Sequence, residues 1–401
     1  MKVSANLKNI SDSVDIIPSK SVAHRKIIAA ALSGLEIKNI YGSKDIEATK
    51  ACIKSILSND NKYYCKESGS TLRFLLPLAG ALGKEGIFVT EGRLNKRPLK
   101  DLKNVLVEHG MKIEILKDGN IKVGGKLKAG NFNIRGDVSS QYISGLLFAL
   151  PLLDGDSHIN ILGKKESESY INMTLDVLNK SGIKIENYKI KGNQKYKLNN
   201  LYIEGDWSNG AFWLCAGALL ENGLTIKGLD LNTLQGDKAI IKILKEMGAI
   251  VETNLDEIFV KKNKLVGIDI DASDIPDLVP IVSLLASVAV GNTKIYNASR
   301  LKLKESDRLM STAESLKSLG GDVYIRNDEL LIKGKDGGLR GSIIPLDSYN
   351  DHRIAMMLAI ASIVCEKRVI IKRGEAVNKS YPDFFEVAKG INGDIIFMEG
   401  E

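Results

Sequence analysis

Apolar residues run along this chain in two rhythms, one of three or four residues that suits a helix and one of two that suits a strand. The change from the first to the second recurs at a marked place. In Leu106-Val107-Glu108-His109-Gly110-Met111-Lys112-Ile113-Glu114 the end of an amphipathic helix meets a glycine and then an alternating strand. The same pattern returns around Gly182 (Leu178 to Glu186), Gly248 (Leu244 to Glu252) and Gly320 (Leu316 to Tyr324). The four glycines stand 72, 66 and 72 residues apart. A glycine just past a helix end can take the left-handed conformation that closes the last turn, so each copy reads as helix, stop, strand. Degenerate copies fall near Ser58-Asn59 and near Gly390 to Gly393. Six units of roughly 50 to 73 residues then fill the chain, a period too long for the common solenoids. They predict six α/β subdomains, three in each of two globular domains.

Within this frame, Pro18-Ser19-Lys20-Ser21 opens a helix that continues through Ile27, Ile28, Ala30 and Leu32, with Ser19 or Ser21 able to cap it. Leu201 to Gly205 reads as a strand leading to an Asp206 N-cap and a helix from about Ala211 to Leu220. A crossover there and another near Pro18 predict a discontinuous domain of residues 1–18 plus 206–401 and a second domain of residues 19–205. The length of 401 residues agrees, since single cores stop growing at about 250 to 300 residues.

Composition narrows the class. Hydrophobic residues at 44% and charged residues at 26% are ordinary for a soluble globular protein, and no segment reaches the ~20 apolar residues of a membrane span. The N-terminal Met1-Lys2-Val3-Ser4 lacks the apolar core of a signal peptide, which makes the cytoplasm the expected location. Cys52, Cys65, Cys215 and Cys365 are widely spaced in sequence with no Cys-x-x-Cys pair, so buried thiols are expected and neither a metal site nor a disulfide framework. The net charge of +7 is mostly diffuse lysine, whereas arginines gather in short motifs beside Gly, Ser, Asp or Pro. There a fixed guanidinium could hold a carboxylate or phosphate.

Those motifs are the candidate chemistry. Lys20, Ser21 and Arg25 lie at a helix start, where free N–H groups favour anions. Glu67-Ser68-Gly69-Ser70-Thr71 precedes an apolar helix, with Gly69 permitting close approach of a ligand. Arg93, Lys96 and Arg97 crowd a loop before Pro98, expected at a helix start. Ser139-Ser140-Gln141 and Glu166-Ser167-Glu168-Ser169-Tyr170 open two further helices, where serines serve as caps or converge on a phosphate. Asp277 precedes an apolar helix. Lys304 and Arg308 are expected one turn apart on one helix face, with Glu305 and Asp307 between them. Tyr349-Asn350-Asp351-His352-Arg353 forms an Asx-rich turn before a small apolar helix, and Lys379 stands ahead of a last one. Taken singly, most of these also read as capped helices or solvated charge.

Taken in order, they resemble the 5-enolpyruvylshikimate-3-phosphate synthases. Lys20-Ser21 with Arg25, Gly69-Ser70-Thr71 with Arg73, Lys96-Arg97-Pro98, Ser139-Ser140-Gln141, Gln235-Gly236-Asp237, Lys304-Glu305-Ser306-Asp307-Arg308, Asn350-Asp351-His352-Arg353 and Lys379-Ser380-Tyr381-Pro382-Asp383 follow the order of that family. The resemblance implies a two-domain inverse α/β barrel-like fold of six βαβαββ repeats, three per domain, with the active site in the cleft between them. It implies transfer of the enolpyruvyl group of phosphoenolpyruvate to the 5-hydroxyl of shikimate 3-phosphate, within aromatic amino acid biosynthesis. Shikimate 3-phosphate is expected at Lys20, Ser21, Arg25, Ser139, Ser140, Ser167, Tyr170, Asp277 and Lys304. Phosphoenolpyruvate is expected at Lys20, Gly69, Arg97, Gln141, Arg308, Arg353 and Lys379. Asp277 is the expected partner of the 5-hydroxyl proton, and either Glu305 or Lys20 that of the proton at C3; His352 orients its neighbours. No cofactor or metal is called for, because paired arginine and lysine can neutralise substrate charge. A monomer is expected. Glyphosate is the implied inhibitor, and Glu67-Ser68-Gly69-Ser70, where the family commonly has Asn-Ala-Gly-Thr, is the departure that bears on it.

Two other readings stay in view. A sister enzyme transfers the same group to UDP-N-acetylglucosamine, but its reactive cysteine has no counterpart in the loop Glu91 to Arg97. A nucleic-acid binder would use the net charge, but aromatics are 6% of the chain and do not interleave with the lysines.

Overall fold

In each of the four marked copies the glycine takes a positive φ: 99° at Gly110, 78° at Gly182, 96° at Gly248 and 94° at Gly320. The degenerate copies do the same with asparagine, the next best residue for that region, at Asn59 (φ 63°) and Asn392 (φ 68°). Six helix stops therefore punctuate the chain. The structure, a computed structural model, describes residues 1–37, 40, 42–255, 257–335 and 337–398.

Five four-stranded sheets are assigned among the described residues, all wired alike. In one, Lys62–Lys66 runs parallel to Gly86–Thr90, which pairs antiparallel with Ile121–Gly125, itself antiparallel to Met111–Ile115. Helices Gly69–Ala81 and Lys100–Glu108 fill the connections, giving strand, helix, strand, helix and a hairpin. Asn131–Arg135, Ser157–Leu162, Ile185–Glu186 and Lys189–Ile190 repeat this, the last two joined by Asn187 and Tyr188, both with positive φ as a type I′ turn requires.

The N-terminus explains why one unit is discontinuous. Lys2–Asn6 lies between Val369–Lys372 and Asp394–Met398, completing the sheet of the C-terminal repeat. Ser13–Asp15 pairs in parallel with Leu224–Lys227 at the edge of another sheet. Met1–Ser19 thus belongs with Glu204–Glu401 in one compact unit, and Lys20–Ile203 forms the other. Each has its own hydrophobic core. The sixth repeat is represented by helices Lys20–Leu32 and Lys44–Leu57, without an assigned sheet among the described residues. Leu201 to Glu204, expected as a strand, joins no ladder; only Gly205 makes a bridge, to Pro18.

Three largely buried helices fill the centre of each unit: Lys20–Leu32, Gly69–Ala81 and Ser140–Ala149 in one, Trp207–Gly217, Val279–Val288 and His352–Ala361 in the other. A helix apolar on all sides has to be surrounded by protein. Packing is close enough that a Cβ on Gly145 would stand 2.2 Å from the Arg73 carbonyl oxygen. Most of the motifs read from the sequence sit at the N-terminal ends of these six helices, where unpaired N–H groups and the helix dipole favour negative charge.

Candidate active site

In the Lys20–Ile203 unit the first helix carries Lys20, Ser21 and Arg25. Lys20 Nζ donates to Asp45 Oδ2 at 3.1 Å. Arg25 is buried and spends three of its N–H groups on the Ser21 carbonyl (2.6 Å), the Tyr170 carbonyl (2.9 Å) and Thr174 Oγ1 (2.8 Å). Its guanidinium lies over the rings of Phe74 and Tyr170. Burial lowers its pKa to about 10, with Tyr170 opposing. Two of its five N–H groups remain for a ligand.

The second helix begins at Gly69 with Ser68 as N-cap, its hydroxyl accepting from Thr71 N at 3.2 Å. A buried hydroxyl chain sets that cap: Thr71 Oγ1 donates to Ser68 Oγ (2.7 Å), Thr49 Oγ1 lies 2.6 Å from Thr71 Oγ1, and His24 Nδ1 lies 2.7 Å from Thr49 Oγ1. Each hydroxyl has one proton. Thr71 gives its proton to Ser68, and the single Thr49 proton serves either Thr71 or the Asp45 carbonyl at 3.3 Å. Burial first, then Lys20 and Arg25, hold the His24 pKa well below its ordinary value.

Beside Gly69, Arg73 Nη1 donates to Gln141 Oε1 (2.7 Å), and Gln141 Nε2 donates to Ser70 Oγ (2.9 Å). Arg97 reaches the same place, since a Cβ on Gly69 would meet Arg73 Nη1 at 2.6 Å and Arg97 Nη1 at 2.8 Å. A cavity of about 400 Å³ next to it takes in Arg73, Arg97, Lys100 and Lys103. Pro98 does not open the following helix; that helix is Lys100–Glu108 with Leu99 at the cap position.

The third helix starts at Ser140, capped by Ser139, whose hydroxyl accepts from Gln141 N at 3.3 Å. Ser167 differs from the expected cap. It stands at the N-cap position of Glu168–Lys180 in a left-handed conformation (φ 53°, ψ 47°) and makes no capping hydrogen bond. Such a conformation is strained for serine, and strain of this kind collects at ligand sites.

In the Met1–Ser19 and Glu204–Glu401 unit, the acidic and basic candidates form one ion cluster around Arg308. Its guanidinium, 1% exposed, donates to Asp277 Oδ1 (2.7 Å), Glu305 Oε2 (2.7 Å) and both oxygens of Asp351 (3.0 and 3.2 Å). Lys304 Nζ lies 3.6 Å from Asp277 Oδ1, and Arg353 Nη2 lies 3.6 Å from Asp277 Oδ2. Lys304 and Arg308 do not share a helix face as expected. Asp307 caps the helix, accepting from Met310 N at 3.1 Å, so the helix begins only at Arg308 and Lys304 is extended. Asp277 brings the two cations together instead.

The electrostatics follow from this geometry. Burial acts to raise the Asp277 pKa, but Lys304, Arg353 and Arg308 together hold it well below the usual carboxylate range. Burial brings Lys304 down to about 8, against the pull of Asp277. Burial would lower Arg308, yet Asp351, Glu305 and Asp277 raise it further, so it stays charged. Arg353 is held by the Ser208 carbonyl (2.8 Å) and Asn209 Oδ1 (3.0 Å), and Lys379 Nζ donates to the Asn350 carbonyl (2.8 Å).

Several participants were not singled out as site residues in the sequence. Asp45 pairs Lys20, Arg73 orients Gln141, and Ser208 with Asn209 grips Arg353. Asp351 is the most consequential: wholly buried, it accepts from Arg308, from Ser306 Oγ (3.0 Å) and from Arg353 N (2.9 Å), capping the helix that carries Arg353. Asp351 and Asp237 sat inside quoted motifs, but only their partners distant in sequence reveal what they do.

Comparison with known proteins fits this arrangement. A family profile described as EPSP synthase (3-phosphoshikimate 1-carboxyvinyltransferase) matches residues 5–388. The chain is 44% identical to the 3-phosphoshikimate 1-carboxyvinyltransferase of Clostridium kluyveri, covering 98% of both chains. It is 46% identical to the one from Clostridium acetobutylicum, covering 95% of both. The EPSP synthase structure from Acinetobacter baumannii shares the fold at a TM-score of 0.78 and 23% identity, covering 99% of this chain and 100% of that one. The enolpyruvyl transferase NikO from Streptomyces tendae does so at a TM-score of 0.77 and 17% identity, covering 98% of each. Five sheets wired alike, an arginine-centred ion cluster and a full-length match converge: the chain belongs to the EPSP synthase (3-phosphoshikimate 1-carboxyvinyltransferase) family.

Proposed function

We infer that this protein transfers the enolpyruvyl group of phosphoenolpyruvate to the 5-hydroxyl of shikimate 3-phosphate, releasing phosphate. The activity named for its full-length relatives supports this reading. In the structure, the observation that carries it is Asp277 set among Lys304, Arg308 and Arg353, a carboxylate poised among cations that suit two anionic substrates.

Shikimate 3-phosphate takes Lys20, Ser21, Arg25, Ser139, Ser140, Ser167, Tyr170, Asp277 and Lys304, with hydroxyls and helix N-termini receiving its phosphate. Phosphoenolpyruvate takes Lys20, Gly69, Arg97, Gln141, Arg308, Arg353 and Lys379. The 5-hydroxyl attacks C2 while C3 gains a proton; the tetrahedral adduct then loses phosphate as C3 gives the proton back. Asp277 handles the hydroxyl proton. With no substrate bound it is too weak a base, because three cations stabilise its charge. Once substrate anions share Lys304, Arg308 and Arg353, that stabilisation falls and its basicity rises. Glu305, bonded to Arg308, or Lys20, bonded to Asp45, exchanges the proton at C3. The protein works as a cytoplasmic monomer.

Phosphate release from phosphoenolpyruvate, with shikimate 3-phosphate and separately with UDP-N-acetylglucosamine, tests the reading. Release with shikimate 3-phosphate alone is expected, and Asp277→Ala should lower it by ~10² or more. Release with the sugar nucleotide alone would overturn it. The four cysteines are buried, which leaves no reactive thiol of the kind the sister enzyme uses.

A further inference from the structure

Asp237 lies on the short turn Gly236–Ala239 and is 2% exposed. Ser208 Oγ donates to its Oδ2, and its Oδ1 has no hydrogen-bond partner among the described residues. The charges acting on it come from three neighbouring elements: Asp277 ahead of Val279–Val288, Arg353 on His352–Ala361, and Asp206 at the cap of Trp207–Gly217. On its own turn, Lys238 is turned away, its Nζ donating to the Leu231 carbonyl at 3.0 Å. The contrast with its neighbours is sharp. Asp351 receives two bonds from Arg308, and Asp277 has Arg308, Lys304 and Arg353 around it. Asp237 receives one neutral hydroxyl. A buried carboxylate so poorly served is more stable as the neutral acid.

Arg353 shows the complementary gap. Its Nη1 is held by Ser208 and Asn209, Nη2 stands 3.6 Å from Asp277, and Nε makes no hydrogen bond among the described residues. We propose that Asp237 is a positioning residue that carries a proton in the unliganded protein below neutral pH, and that this proton keeps the Arg353 guanidinium available to an anionic substrate. The inference rests on the reading of Arg353 as a phosphoenolpyruvate ligand. An ionised Asp237, joined to Arg353 through Ser208, would offset the guanidinium charge and repel the incoming anion.

Burial, then Asp277, pushes the Asp237 pKa up to about 7, with Ser208 and Arg353 opposing. The acid therefore loses its proton as pH rises through neutrality, and phosphoenolpyruvate binding weakens in that direction. By linkage the anion must favour the protonated form equally, so binding raises the Asp237 pKa and draws a proton in. A tenfold preference moves the pKa by one unit, and midway between the two values uptake is roughly half a proton.

The test is calorimetric titration of the phosphonate analogue of phosphoenolpyruvate, a methylene replacing its ester oxygen, into protein saturated with shikimate 3-phosphate. Run at about pH 7.5 in buffers of different ionisation enthalpy, it counts protons taken up. Wild type should take up about half a proton more than Asp237→Asn, and the rise of phosphoenolpyruvate KM above neutral pH should disappear in the variant. Ser208→Ala keeps the carboxyl but removes its donor, so its uptake window should move to higher pH. Equal uptake by wild type and Asp237→Asn, or no displacement in Ser208→Ala, overturns the inference. If wild type binds shikimate 3-phosphate but not the phosphonate, the reading of Arg353 falls and the inference with it.

Discussion

At Gly69 the missing side chain leaves room for two guanidinium groups. A methyl there would stand 2.6 Å from Arg73 Nη1 and 2.8 Å from Arg97 Nη1, closer than any real contact allows. The intruded atoms are the ends of flexible side chains and not backbone, and Gly69 has no positive φ, so the fold can absorb Gly69→Ala. The guanidinium groups cannot move without leaving the position in which they would meet an anion. Gly69→Ala should therefore keep its Tm within about 2–4 °C of wild type, while KM for phosphoenolpyruvate rises about tenfold, a loss near 1.4 kcal/mol, and KM for shikimate 3-phosphate stays nearly constant. Steady-state kinetics with each substrate varied in turn, beside a thermal melt, checks this; parallel rises in both KM values would place the methyl's effect elsewhere. Residues of this kind were legible because glycine, arginine and hydroxyls stood together in short runs. Asp45, Asp237 and Asp351 were not, because a buried carboxylate declares its role only through partners such as Arg308, 43 positions from Asp351.

The helix stops show how far local pattern reaches, and also its limit. Gly182 and Gly248 mark the same place in two repeats and share a positive φ, yet their surroundings differ. A Cβ at Gly182 would meet nothing nearer than Lys197 Cβ at 3.8 Å, whereas at Gly248 it would stand 2.7 Å from the Lys264 carbonyl oxygen. Gly182→Ala should cost only the left-handed backbone penalty, about 1–2 kcal/mol. Gly248→Ala adds a clash with backbone that cannot swing aside, and should cost at least about 1 kcal/mol more. Urea denaturation of both variants measures the difference; equal losses would mean that the Lys264 segment yields. The repeat was readable because glycine and asparagine tolerate this geometry best. The start of the Arg308 helix was misread for a related reason. Lys304 and Arg308 have helical spacing, but Asp307 competes as a cap, and side-chain pairing rules cannot say which of several polar residues ends the loop.

At the scale of the molecule, the chain passes out of one unit and back at a single place. Ser19 N donates to the Glu204 carbonyl at 2.8 Å, Asp206 N to the Ile17 carbonyl at 2.9 Å, and Pro18 bridges Gly205. The exit and return segments are therefore adjacent, and residues 20–203 form a continuous insertion with a core of their own. A core of this size lies within the range in which single domains fold alone. Residues 20–203 expressed as a separate polypeptide should give a single cooperative melt by circular dichroism. The remainder, with Ser19 joined to Glu204 through about two glycines, should do likewise, because the linker spans ends already held together. Seven of the proposed shikimate 3-phosphate ligands lie in the excised unit, whereas Asp277, Lys304 and the Arg308 cluster lie in the other. Titration of the excised unit should therefore show weakened but measurable binding of shikimate 3-phosphate, and the mixed fragments should lack turnover because no covalent link holds their ligand sets to one substrate pair. An excised unit that fails to fold would show that its core depends on the rest of the chain; one that folds but binds nothing would move the phosphate-holding role away from its helix N-termini.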